Sequence, residues 1–139
     1  MTYRDKIFYD TVFPPPPGFK SIMLFGFIFT HSKELGETDL RHEREIHVNQ
    51  YNDCFLLGLG LSLVLALVFL FLSPGWWLLS FSLIPIFLYY IWYGIDYIWE
   101  LLKYWNFDKA YKNVIFERQA YKEEDNTEFK YKKFSFLKY

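Results

Sequence analysis

The segment His42-Glu43-Arg44-Glu45-Ile46-His47 holds two imidazoles with carboxylates between them. Two histidines one helical turn apart, with a glutamate beside the first, are a zinc-binding pattern. The imidazoles hold the ion and the glutamate takes a proton from water. The usual spacing between those histidines is four residues, and here it is five. On an α-helix, five steps set His42 and His47 roughly 140° apart, against about 40° for the usual spacing. Sharing one metal therefore requires a local bulge in the helix.

A second pairing needs no bulge. Glu43 and His47 are four apart and share a face with Gln50 one turn on, but Glu43 would then be a ligand and Glu45 the remaining candidate base. The bland alternative for the whole segment is a solvated helix face laced with intrahelical ion pairs. Later in the chain, Phe116-Glu117-Arg118-Gln119-Ala120-Tyr121 sets an acid, Glu117, three residues before the small Ala120. Taken alone, Glu117 reads first as a surface acid pairing with Arg118 or Lys122. His31 stands apart and reads as a loop residue.

The flanking chain must position these groups. Residues 19-30 are rich in Phe and Ile with a glycine at the centre, and they predict a strand. Thr38 or Asp39 is a fitting N-cap for a helix over 38-53 that carries the histidines. No breaker separates it from residues 54-73, which are uncharged and dominated by Leu, Val and Phe. Ser73-Pro74-Gly75 is a turn signal, and a second apolar helix follows over 76-99 with a bend expected at Pro85. Trp76 and Trp77 at one end, and Tyr89, Tyr90, Trp92 and Tyr93 at the other, suit the two interfacial belts of a bilayer. From Cys54 to Trp99 there is no Lys or Arg, and Asp96 is the one acid. A soluble helix pair would need a charged outer face. The fold class expected is thus a mainly α membrane protein: a two-helix transmembrane hairpin, a short N-terminal strand and a C-terminal amphipathic helix over 106-124.

All fifteen Lys and Arg lie on one side of the hairpin, which puts both polar ends in the cytoplasm. The net charge of -1 gives no electrostatic case for nucleic acid. The single Cys54 excludes an internal disulfide and a cysteine-rich zinc site, and reads as a packing residue. Residues 1-18 read as an irregular tail with a polyproline stretch at Pro14 to Pro17 and no cleavable signal, and residues 125-139 as a charged, aromatic tail, frayed or lying on the membrane surface. Asp96 is expected near the membrane surface, orienting a histidine.

Four blocks carry a family resemblance: Leu24-Phe25-Gly26-Phe27-Ile28-Phe29, His47-Val48-Asn49-Gln50, Tyr90-Ile91-Trp92-Tyr93-Gly94-Ile95-Asp96-Tyr97, and Ala110 through Tyr121. Over residues 19-124 the chain resembles small Bacteroidetes-type integral membrane proteins related to glutamate-zincin metallopeptidases. The resemblance implies zinc held by His42, His47 and Glu117, Glu43 as general base, and a site at the cytoplasmic surface of a bacterial inner membrane. The departure falls on the metal motif. Aligned without a gap from His47, Glu43 replaces the first histidine and Arg44 the catalytic glutamate, which would leave a protein that binds metal without hydrolysing anything. With a one-residue insertion, His42 and Glu43 regain their roles, and the five-residue spacing does occur in at least one soluble dipeptidyl-peptidase family. The rival expectation is a non-catalytic small accessory subunit of a larger membrane complex, or a self-associating chain.

Overall fold

A chain with no charge over twenty residues can satisfy its backbone internally only as a helix, and that is what residues 54-72 do. The computed structural model describes residues 2-12, 15 and 18-139, and for residues 2-4 the backbone alone. One continuous helix, α1, runs over Glu37–Leu72, and a second, α2, over Trp76–Tyr104. They pack antiparallel, joined by the turn at Ser73-Pro74-Gly75. Both are long and apolar enough to cross a membrane, and only 6% and 11% of their most apolar stretches are buried. Their Leu, Val and Phe side chains thus face outward, as in Leu63, Phe71 and Leu79, and do not form a core of this chain.

The two helices meet where Gly58 faces Pro85. A Cβ on Gly58 would stand 2.5 Å from Pro85 Cα, so only glycine permits this approach. Pro85 does not bend the middle of an α-helix as expected. Residues Trp76–Leu83 form a 3-10 helix, and Pro85 sits in the first turn of the α-helical part, Ile84–Tyr104, where its missing N–H leaves no bond unmade.

The polar end is built around the base of this hairpin. Where one strand is expected over 19-30, the chain folds back on itself: β3 (Ser21–Leu24) and β4 (Phe27–Thr30) form a tight hairpin at Phe25-Gly26. Two further strands, β1 (Thr2–Arg4) and β2 (Ile7–Tyr9), replace the first part of the irregular tail expected over 1-18. The sheet order is β1-β2-β4-β3, with β2 and β4 parallel, so β3 is an edge strand. Apolar alternation in Ile7 and Ile28, both buried, ties the N-terminal strands to the core. Of the Pro14–Pro17 run only Pro15 is among the described residues, so the polyproline expectation lies outside them.

Helix α1 begins at Glu37, one residue before the expected caps, with Gly36 preceding it; Asp39 lies in its first turn and pairs with Lys20. The single helix expected over 106-124 is two, α3 (Phe107–Asn113) and α4 (Ile115–Glu123), separated by an extended Val114. Asp96 explains the break. Its Oδ2 accepts the Ile115 N–H at 2.6 Å, capping the start of α4, so it orients that helix and not a histidine. The last residues are not frayed. Ser135–Lys138 form a 3-10 turn, and Phe136 is fully buried between Phe116 and Trp92. Cys54 is buried in the same core, as its position suggests.

Candidate metal centre

The bulge that the histidine spacing demands is present. Residues Arg41–His47 of α1 wind as a π-helix, and the Val48 N–H that closes it reaches the Glu43 carbonyl five residues back. In a π turn, residues five apart stack as residues four apart do on an α-helix. His42 and His47 therefore lie on one face, with ring centroids 4.7 Å apart. Against them packs α4, whose Ala120 is fully buried and whose Glu117 is 3% exposed.

The three side chains converge. Ligand atoms of His42, His47 and Glu117 all lie within 4.8 Å of one another, and this is the metal-type group among the described residues. Glu117 Oε2 is 3.5 Å from His42 Nε2, and Glu117 Oε1 is 3.4 Å from His47 Nε2. These gaps are wider than a charge-assisted hydrogen bond, about 2.7–2.9 Å. They match the roughly 3.4 Å that separates two ligands placed about 2.1 Å from a tetrahedral zinc. Glu117 Oε2 is also buried with no hydrogen-bond partner. The cationic groups that meet this carboxylate are the two imidazoles themselves, and a metal ion between the three side chains would meet the same oxygens. Two imidazoles and a carboxylate are a donor set that can hold a divalent transition-metal ion.

Each imidazole is held by its far nitrogen. Gln50 Nε2 donates to the Phe116 carbonyl at 3.0 Å and to Gln119 Oε1 at 2.9 Å, so Gln50 presents its oxygen to His47 Nδ1 at 2.8 Å. His47 Nδ1 then donates to Gln50, and Nε2 faces Glu117. His42 Nδ1 lies 2.5 Å from Glu124 Oε2 in the same sense, and its ring packs edge-on to Tyr121. Such partners fix the ring and raise its basicity as a ligand. For a metal held by the triad, Gln50→Ala is expected to weaken binding by about 10- to 100-fold, the range for outer-shell partners. Competition titration against a chromophoric chelator measures it, and an unchanged affinity would remove Gln50 from the centre.

Around the triad the electrostatics favour the ionised carboxylate. Burial alone would raise the Glu117 carboxyl, but the charge of His47 and the neighbouring His42 outweigh it and hold the group well below the usual carboxylate range. Tyr93 donates to Glu117 Oε1 at 2.9 Å. Burial and the Glu117 charge push the Tyr111 phenol up, so it stays a neutral donor.

Glu43 is buried beside the triad but outside the ligand group, and its Oε1 accepts the Ser21 hydroxyl of β3 at 2.7 Å. It is not the ligand that the α-helical pairing with His47 would make it. Glu45 and Arg44 are exposed, and Glu45 pairs with Arg41 one turn back. The residue that an ungapped alignment places in the base position thus points away from the centre. His31 is a loop clamp, its ring nitrogens 2.7 and 3.0 Å from the carbonyls of Thr11 and Pro15.

Two recesses meet at Glu43. One, of about 900 Å³, opens on His42 and is walled by Phe19, Tyr93, Tyr97, Phe107 and Tyr111. The other, of about 260 Å³, runs between β3 and α2 past His47 and Glu117, and is lined by Ile22, Met23, Leu24 and Tyr90. Comparison with family models, with curated proteins and with solved structures finds no match to this chain. The class that fold and site define is therefore a mainly helical protein with two helices long enough to cross a membrane and a His/His/Glu group able to hold a metal ion.

Proposed function

We propose that this chain is a membrane-bound zinc metallopeptidase-like protein, acting on peptide bonds at the cytoplasmic surface of a bacterial inner membrane. The observation that carries it is the convergence of His42, His47 and Glu117, with ligand atoms within 4.8 Å of one another, around a buried carboxylate oxygen that accepts no hydrogen bond. The membrane part rests on the outward apolar faces of α1 and α2 and on the absence of Lys and Arg between them. In this reading the triad holds zinc, which supplies Lewis acidity toward a peptide carbonyl and an acidified water. Glu43, aimed into the junction of the two recesses, takes the proton of the attacking water and returns it to the leaving amine. The free edge of β3, beside Glu43, His47 and Glu117, pairs with an extended peptide through backbone hydrogen bonds.

The test is zinc content of the purified, detergent-solubilised protein, followed by peptide hydrolysis. Glu43→Gln is expected to keep the metal and to lose activity by about 10²- to 10⁴-fold, the usual share of a general base. An intact protein that takes up no zinc on incubation with the ion would sink the proposal. A chain that binds zinc and cleaves nothing would fit a second reading, a non-catalytic subunit, which the outward apolar faces of both helices favour as surfaces for a membrane partner or a second copy.

A further inference from the structure

We infer that residues 129-139 form a binding surface for anionic phospholipid headgroups, fastened where α1 passes into its apolar stretch. This rests on the membrane-spanning part of the proposal above and not on the metal centre. The segment carries Lys130, Lys132, Lys133 and Lys138, no acid, and five aromatic residues. All four lysines are exposed, and Leu137 beside them is 55% exposed.

Its height along the helix pair is set by one carboxylate. Asp53 is the last charged residue before the uncharged run, and it is buried. Its Oδ2 accepts both the Tyr131 hydroxyl at 2.8 Å and the Phe134 N–H at 2.6 Å. Lys132 and Lys133 lie between those two bonded residues, so their ammonium groups are held within a few residues of the apolar boundary. Gln119 Nε2 donates to Ser135 Oγ at 2.7 Å, and buried Phe136 completes the attachment. The lysines themselves take no part in it.

A second turn marks the same level on the opposite side. Gly26 packs against the Tyr51 ring, and Phe25 touches Phe87 and Tyr90, whose hydroxyl accepts the Phe25 N–H. Tyr51 and Asp53 are two residues apart, about 200° around α1, so the two turns flank the helix pair on opposite faces. Both turns present a phenylalanine in the left-handed backbone region, φ 53° at Phe25 and 56° at Phe134, a conformation that disfavours bulky side chains. An exposed Phe25 at one turn, and an exposed Leu137 among lysines at the other, suit the headgroup layer, where apolar side chains anchor and cations meet phosphate.

The experiment reconstitutes the chain in nanodiscs of equimolar phosphatidylglycerol and phosphatidylcholine, then counts the lipids retained by native mass spectrometry. The wild-type chain is expected to retain phosphatidylglycerol at least about fivefold over phosphatidylcholine, the factor a single lysine near an anionic surface supplies. The K130Q/K132Q/K133Q/K138Q variant, whose anchoring residues are untouched, is expected to lose the preference. Equal retention of both lipids by the wild type, or an unchanged preference in the variant, overturns the inference. Alkaline carbonate washing of proteoliposomes separates the two levels: extraction of the wild type would bring down the membrane-spanning reading itself, whereas retention without lipid preference brings down only this one.

Discussion

Replacing Glu117 by alanine is expected to abolish the zinc binding proposed for this chain, with affinity falling by more than about 100-fold, beyond what outer-shell partners cost. The reason lies in how little else can serve. The ligand group spans only His42, His47 and Glu117, and the next acid, Glu43, already accepts the Ser21 hydroxyl. Removing Glu117 leaves two imidazoles, too few for the three protein ligands of an open zinc site. The Glu117→Ala/His47→Ala double variant should retain none after dialysis. Metal content by atomic spectroscopy measures the loss, and far-UV circular dichroism checks that the helices persist. Glu117→Gln guards against a merely structural effect, since it preserves volume and an acceptor for Tyr93 while removing the charge. Full zinc occupancy in Glu117→Gln and Glu117→Ala alike would dismiss the triad.

Gly58→Leu is expected to destabilise the helix pair by at least about 1–3 kcal/mol, the usual cost of overpacking a well-fitted contact. Even the first added carbon would fall 2.5 Å from Pro85 Cα, and backbone cannot yield as a flexible side chain does. The control lies two residues on. A Cβ on Gly60 meets nothing within 4 Å, so Gly60→Leu should be near neutral. Reversible unfolding of both variants in mixed micelles measures the difference, and equal stability would show that the helices do not meet at Gly58. Because Tyr89 and Tyr93 reach His47 and Glu117 from α2, spreading the helices should also loosen the metal centre.

Much of this was written in local chemistry. The helix pair follows from a run with no charge and one turn signal, and the pair of histidines from their shared segment, whereas Glu117 was marked out only by the family resemblance. The five-residue spacing specifies that a bulge is needed if both imidazoles share a face, but only the fold supplies the π turn. Contacts distant in sequence were not legible. Nothing near Asp53 says that it will receive Tyr131 and Phe134, some eighty residues away, so the last segment reads as frayed when it is in fact docked. Glu124 as the partner of His42 was hidden for the same reason, whereas Gln50 was visible on the helix face it shares with His47. The N-terminal strands were obscured by their brevity: three residues each carry too little alternation to register.

The π turn also decouples sequence length from geometry. A helix that takes one extra residue in a single wide turn keeps everything downstream in phase, so the apolar part of α1 presents the same faces to α2 as it would with one residue fewer in that turn. Shortening Arg44-Glu45-Ile46 by one residue would let the turn relax to α-helical winding with the histidines still stacked. Two lineages could therefore differ in motif spacing while sharing one centre, and a pattern written as a fixed count of residues would recognise only one of them.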